Sequence, residues 1–179
     1  MPANRRSLAV ACLGIVALIY ATIGAIAASS SITPPQIQDL KLTPGVVRPD
    51  LTLDQIFHTA WGKDERMVTA DMKAQVAKAY GMSAAACPSG KIEIDHLISR
   101  ELGGADDIRN LWPECYEPAP PAPKLNPVWG AHKKDRLENE LHKEACAGTI
   151  TLDQARAALV DDWRKAYVAR WGQPGPGAK

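Results

Sequence analysis

Asp95 and His96 sit side by side in the run Ile92-Glu93-Ile94-Asp95-His96-Leu97-Ile98, and they are the two residue types that metal-assisted hydrolysis most often needs. A carboxylate is a hard oxygen ligand for a divalent cation, and a neutral imidazole takes a proton from water near neutral pH. Ile92 and Ile94 alternate with Glu93 and Asp95, the period of a half-buried strand, so the pair closes a strand. Leu102-Gly103-Gly104 follows. Glycine permits positive φ and a tight reversal there, so the strand can fold back on itself. Asn110-Leu111-Trp112-Pro113 then brings a side-chain amide to where it can tie the loop together.

This ordered set resembles the HNH endonucleases. The resemblance continues through Trp129, Lys134-Asp135, Leu137-Glu138, Leu141-His142, Cys146, Gly148, Asp162-Trp163 and Tyr167, and covers roughly Leu42 to Trp171. Two positions depart from the pattern: Ser99 stands where many relatives have Pro, and Trp61 lies in a region where some carry Cys. The resemblance implies an α+β fold whose small ββα-metal core, a β-hairpin packed on a helix around one metal ion, carries additional flanking helices. It implies His96 as general base on the attacking water and Asp95 as metal ligand. It gives Asn110 the task of holding the loop and orienting the histidine by hydrogen bonding. Against these stand plainer readings: a buried, satisfied His96, an Asp95 paired with Lys or Arg, and an Asn110 that is an ordinary turn residue. Glu93 projects on the same strand face as Asp95 and either assists the metal or faces solvent.

The helix that must supply the remaining ligand spans Ala131 to Ala147 and ends at Gly148. Leu137, Leu141 and Ala145 fall on one side; Asp135, Glu138, Asn139 and His142 fall on the opposite side at offsets of three, four and seven. One face can pack on the core while the other presents oxygen and nitrogen ligands. His132, Asp135, Glu138, Asn139 and His142 compete for the metal. His142 leads, because it belongs to the Lys-Asp-x-Leu-Glu-x-x-Leu-His run of the resembled group, and Asp135 is named beside it. Any one of them is also readable as part of a solvated polar face. Lys134 and Arg100 are candidate phosphate contacts. Trp112 and Trp129 are readable as base-stacking platforms or, more simply, as hydrophobic anchors.

Around this core the chain reads as follows. Residues 1–28 hold Arg5 and Arg6 before an apolar run, Leu8 to Ala28, and Ala25-Ile26-Ala27 offers a cleavage site. That is a secretory signal peptide or, given its length, an uncleaved membrane anchor engaging the membrane or secretion machinery. In either case the remainder is exported, to the periplasm or beyond. Residues 29–49 read as an extended linker and 50–171 as the nuclease-like domain. Thr52-x-x-Gln55 is a capping box opening a helix from Leu53 to about Ala60. Thr69 caps the next, which Gly81 stops, with Met67, Val76 and Tyr80 as core residues. The prolines between Glu117 and Pro127 force a surface excursion. Thr151-x-x-Gln154 opens a last helix to about Arg170, with Ala155, Leu159, Trp163, Ala166 and Tyr167 inward. Residues 172–179 read as a disordered tail.

Lys and Arg number 21 against 20 Asp and Glu, and without Arg5 and Arg6 the balance is 19 − 20 = −1. That argues against extensive electrostatic DNA binding while leaving room for a grip on one phosphate. Of four cysteines, Cys12 lies in the leader, leaving Cys87, Cys115 and Cys146. An exported chain predicts one disulfide and one buried or unpaired thiol, with connectivity open, and no Cys-x-x-Cys suggests structural zinc. The expected activity is metal-dependent endonucleolytic hydrolysis of nucleic acid, DNA ahead of RNA. Mg²⁺ is the default ion, with Mn²⁺ or Zn²⁺ if a histidine ligates. The alternative is a non-catalytic exported interaction module that keeps the same hairpin.

Overall fold

The computed structural model describes residues 37–119 and 128–175. In chain order they form α1 (Leu53–His58), α2 (Ala70–Tyr80), β1 (Ile92–His96), β2 (Leu111–Cys115), α3 (Ala131–Cys146) and α4 (Leu152–Trp171), with 3-10 turns at Ala84–Ala86, Arg100–Leu102 and Ile108–Asn110. This is a mixed α+β architecture: a two-stranded antiparallel sheet set among helices. The leader, the prolines after Pro118 and the last four residues lie outside the described residues. Among those described, no helix is long and apolar enough to cross a membrane.

The helix boundaries follow from side-chain capping. At Thr52 and Thr151 the hydroxyl accepts from the N–H of the glutamine three residues on, whose side chain accepts from the threonine N–H, so both capping boxes form. Thr69 caps α2, and Gly81 ends it in the left-handed conformation. α1 is shorter than expected, stopping at His58 because Thr59 turns extended. α4 is broken where periodicity gave no warning. Asp162 leaves helical geometry at φ −170°, and its carboxylate accepts from the Arg164 N–H, which makes it a second cap inside the helix.

The core lies between α3, α4 and the turn after β1. Leu137, Leu141 and Ala145 meet Ala155, Leu159, Trp163 and Tyr167, with Ile98 and Leu102 alongside. Trp129 stands edge-on to Trp163 and Tyr167, so it is a hydrophobic anchor. Two expected core residues are corrected. Met67 is 62 % exposed, lying before the α2 cap on a surface loop, and Tyr80 is only half-buried, its hydroxyl bonded to Thr43. Val76 is buried as expected. The described part of the approach segment is no free linker: Gln38 donates to the Val160 carbonyl, Thr43 to Leu111, and Val47 bridges Gly104. Cys87 and Cys115 form the disulfide, joining the loop before β1 to the end of β2, and Cys146 is free and exposed.

In the sheet, Glu93 opposes Glu114, Asp95 opposes Trp112 and His96 opposes Leu111. Residues directly opposite in an antiparallel pair project from the same face, so Glu93, Asp95 and Glu114 share one. Trp112 shares it too and is buried, which removes it as a stacking platform.

Candidate active site

The loop between the strands is closed by one side chain. Asn110 is fully buried; its Oδ1 accepts from the Ile98 N–H at 3.0 Å, and its Nδ2 donates to the carbonyls of Ile98 and Ala105, both at 3.0 Å. The two glycines serve different needs. Gly103 takes φ +81°, whereas Gly104 provides space, because a Cβ there would overlap the Ile98 carbonyl oxygen and crowd Asn110. Asn110 thus holds the loop as expected, but it does not touch the imidazole.

The imidazole of His96 is held by other groups. Its Nε2 lies 2.7 Å from Asp106 Oδ1, and its Nδ1 lies 3.3 Å from Arg66 Nη2 and 3.7 Å from Asp95 Oδ1. His96, only 3 % exposed, is one of the residues lining an open cleft of about 450 Å³, with Trp61, Arg66, Asp95, Asp135, Glu138 and Asn139. Burial would raise the Asp106 carboxyl, but the Met67 N–H, His96 and Arg100 outweigh it and hold it below the ordinary range.

Beneath the cleft is a buried ionic cluster. The ammonium of Lys134, on α3, is 2.5 Å from Glu138 Oε1, 3.2 Å from Asp95 Oδ2 and 3.8 Å from Glu114 Oε2, and it donates to the His96 carbonyl at 2.7 Å. This removes Lys134 as a surface phosphate contact. One ammonium cannot balance three carboxylates out of water. Burial works against the Asp95 charge, but Lys134, helped by His96, holds that carboxyl well below the usual range. Burial pushes Glu138 up to about 8 and Glu114 well above its ordinary value, the neighbouring acids adding to both. Lys134 thus favours the charged form of Asp95, while burial favours the protonated form of both glutamates. Among the described residues neither oxygen of Glu114 has a hydrogen-bond partner.

Asp95, Asp135 and Glu138 each offer a carboxylate oxygen within 4.8 Å of the others, a group of the kind that can hold a cation. Asp135 is thus brought to Asp95 as the sequence suggested, and Glu138, one of the competitors, joins it. His142 is not: its Nε2 faces the Ile56 carbonyl at 3.2 Å and its ring lies against Phe57, so α1 occupies it. His132 is exposed and paired with Glu117 at 2.9 Å, and Asn139 lines the cleft with its amide bonded to the Asp135 carbonyl. Arg100 is engaged by Asp64, Asp106 and the Glu65 carbonyl rather than free for phosphate. Glu93 accepts from the Tyr116 hydroxyl at 2.7 Å.

Sequence reasoning missed three residues. Glu114 had a signal, since strand pairing sets it opposite Glu93 on the Asp95 face. Asp106 is one of two adjacent aspartates in the loop, indistinguishable by spacing, and Arg66 is remote from His96 in sequence. Comparison with known families, with characterised proteins and with solved structures finds no match to this chain.

Proposed function

We propose that this protein is a metal-dependent endonuclease of the HNH type, hydrolysing phosphodiester bonds in nucleic acid, DNA ahead of RNA. The observation that carries the reading is that His96 and three carboxylates, those of Asp95, Asp135 and Glu138, line a single open cleft. His96 takes the proton from the attacking water at Nδ1. Asp95, Asp135 and Glu138 would hold the ion. Their fit is supported by the excess of buried acid over Lys134, Glu114 included, which leaves negative charge for a cation to balance in place of protons. An all-oxygen set favours Mg²⁺ or Mn²⁺ over Zn²⁺. When bound, such an ion supplies charge stabilisation to the phosphate and the departing 3′ oxygen. Arg66, exposed at the cleft edge, meets the phosphate charge, while Asn110 keeps the loop in register. The Cys87–Cys115 disulfide supports export to an oxidising compartment, periplasmic or secreted.

One observation favours the alternative, an interaction module without catalysis: Lys134 and Arg66 already pair both oxygens of Asp95. A plasmid-nicking assay separates the two readings. Nicking with Mg²⁺ or Mn²⁺ that EDTA abolishes, and that His96→Ala lowers by at least about 100-fold, supports the nuclease. Metal-independent cutting, or full activity in His96→Ala, overturns the mechanism. No cutting with any divalent ion favours the interaction module.

A further inference from the structure

The ring of His96 stands between two groups of opposite kind. Asp106 Oδ1, 2.7 Å from Nε2, can only accept a hydrogen bond when ionised, and Arg66 Nη2, 3.3 Å from Nδ1, can only donate one. A neutral imidazole carries a single N–H. Only one tautomer satisfies both neighbours: hydrogen on Nε2, lone pair on Nδ1. The opposite tautomer would set a lone pair against a carboxylate and an N–H against a guanidinium.

We infer that Asp106 is the positioning residue of this site, fixing His96 as the Nε2–H tautomer so that Nδ1 faces the cleft as a proton acceptor. The inference rests on the nuclease reading only in giving Nδ1 a proton to accept; the tautomer follows from the nearest contact at each nitrogen, Asp106 at 2.7 Å and Arg66 at 3.3 Å, with Asp95 Oδ1 farther from Nδ1 at 3.7 Å. Asp106 is suited to the task because it is itself immobilised. Its Oδ2 accepts from the Met67 N–H at 2.6 Å, and Arg100 Nε lies 3.3 Å from Oδ1, with Arg100 braced in turn by Asp64 and the Glu65 carbonyl. Asn110 bonds the carbonyl of Ala105, the residue before Asp106. The amide that staples the loop therefore orients the histidine at one remove, through the carboxylate it places.

Two-bond ¹H–¹⁵N correlation spectra of ¹⁵N-labelled protein, recorded at mildly alkaline pH where a free imidazole is neutral, read the tautomer directly. The expected wild-type pattern for His96 is Nε2–H. Asp106→Ala should lose that pattern while the rest of the spectrum keeps its dispersion, and Asp106→Glu should restore it. In the nicking assay Asp106→Ala should lower kcat about 10–100-fold with little change in KM, and Asp106→Glu should recover part of it. A wild-type ring protonated on Nδ1 overturns the inference, as does an Asp106→Ala protein that keeps both the Nε2–H pattern and full kcat. If Asp106→Ala does not fold, the wild-type spectrum still decides. The spectra need no cleavage, so a wild type that cuts nothing sinks the nuclease reading and leaves the role of Asp106 to the tautomer.

Discussion

Replacing Asn110 by Ala tests whether one amide closes the loop that carries His96 and Asp106. The substitution removes three hydrogen bonds, two of them fully buried and both to Ile98, whose N–H and carbonyl would then face a void. The third, to Ala105, is only partly buried, and water can replace it. A buried backbone group left without its partner costs about 1–3 kcal/mol, so the two Ile98 groups together cost roughly 2–6 kcal/mol. Local alternatives are few, because Ile98 and Leu102 belong to the core and Gly104 approaches the Ile98 carbonyl too closely for the chain to rearrange there. Against a domain stability of about 5–15 kcal/mol, a loss near the middle of that range is large. Urea unfolding followed by far-UV circular dichroism, with the disulfide intact, measures it as a fall in midpoint at unchanged slope. A loss below about 1 kcal/mol would mean that solvent reaches Ile98 freely and that Asn110 is an ordinary turn residue.

Lys134→Met should destabilise by about 3–5 kcal/mol, since it removes the buried counter-ion of the Asp95 carboxylate; the urea midpoint should recover partly at acidic pH, and an equal deficit at all pH values would argue against the stranded charge. Reducing the Cys87–Cys115 bond, which spans 28 residues, should cost about 3.5 kcal/mol by the loop-entropy relation; an unchanged thermal midpoint in dithiothreitol would contradict it. Glu138 rises in the fold from its ordinary 4.5 to about 8, so folding takes up a proton between those values and stability falls as pH rises across that window. Glu138→Gln should flatten that part of the urea stability profile, and an unchanged slope would refute the assignment. Asp106, whose carboxyl the fold depresses, contributes stability present above the ordinary carboxylate pKa and lost as pH falls through the folded value; Asp106→Ala should therefore weaken acid unfolding relative to wild type, read by circular dichroism.

What the sequence determined by itself was local. A threonine and a glutamine three residues apart open α1 at Thr52 and α4 at Thr151, and a threonine cap alone opens α2 at Thr69. Alternation placed β1, the Gly103-Gly104 reversal follows from what glycine alone permits, and the offsets within α3 put Asp135 and Glu138 in one polar set, although Glu138 lies beside Leu141 and is buried with it rather than opposite. Only the tertiary structure decided which groups of that polar face meet Asp95. Glu138 and His142 lie one turn apart on the same side of α3, and helical spacing treats them alike. The packing of α1 breaks the tie, because the Ile56 carbonyl takes up His142 and leaves the carboxylate of Glu138 with Lys134. Arg66 and Asp106 reach His96 across the loop by packing and not by spacing, as Lys134 became a buried counter-ion only when the hairpin closed over it. Period fixes which residues share a face; burial and partner choice depend on what the rest of the chain lays against it.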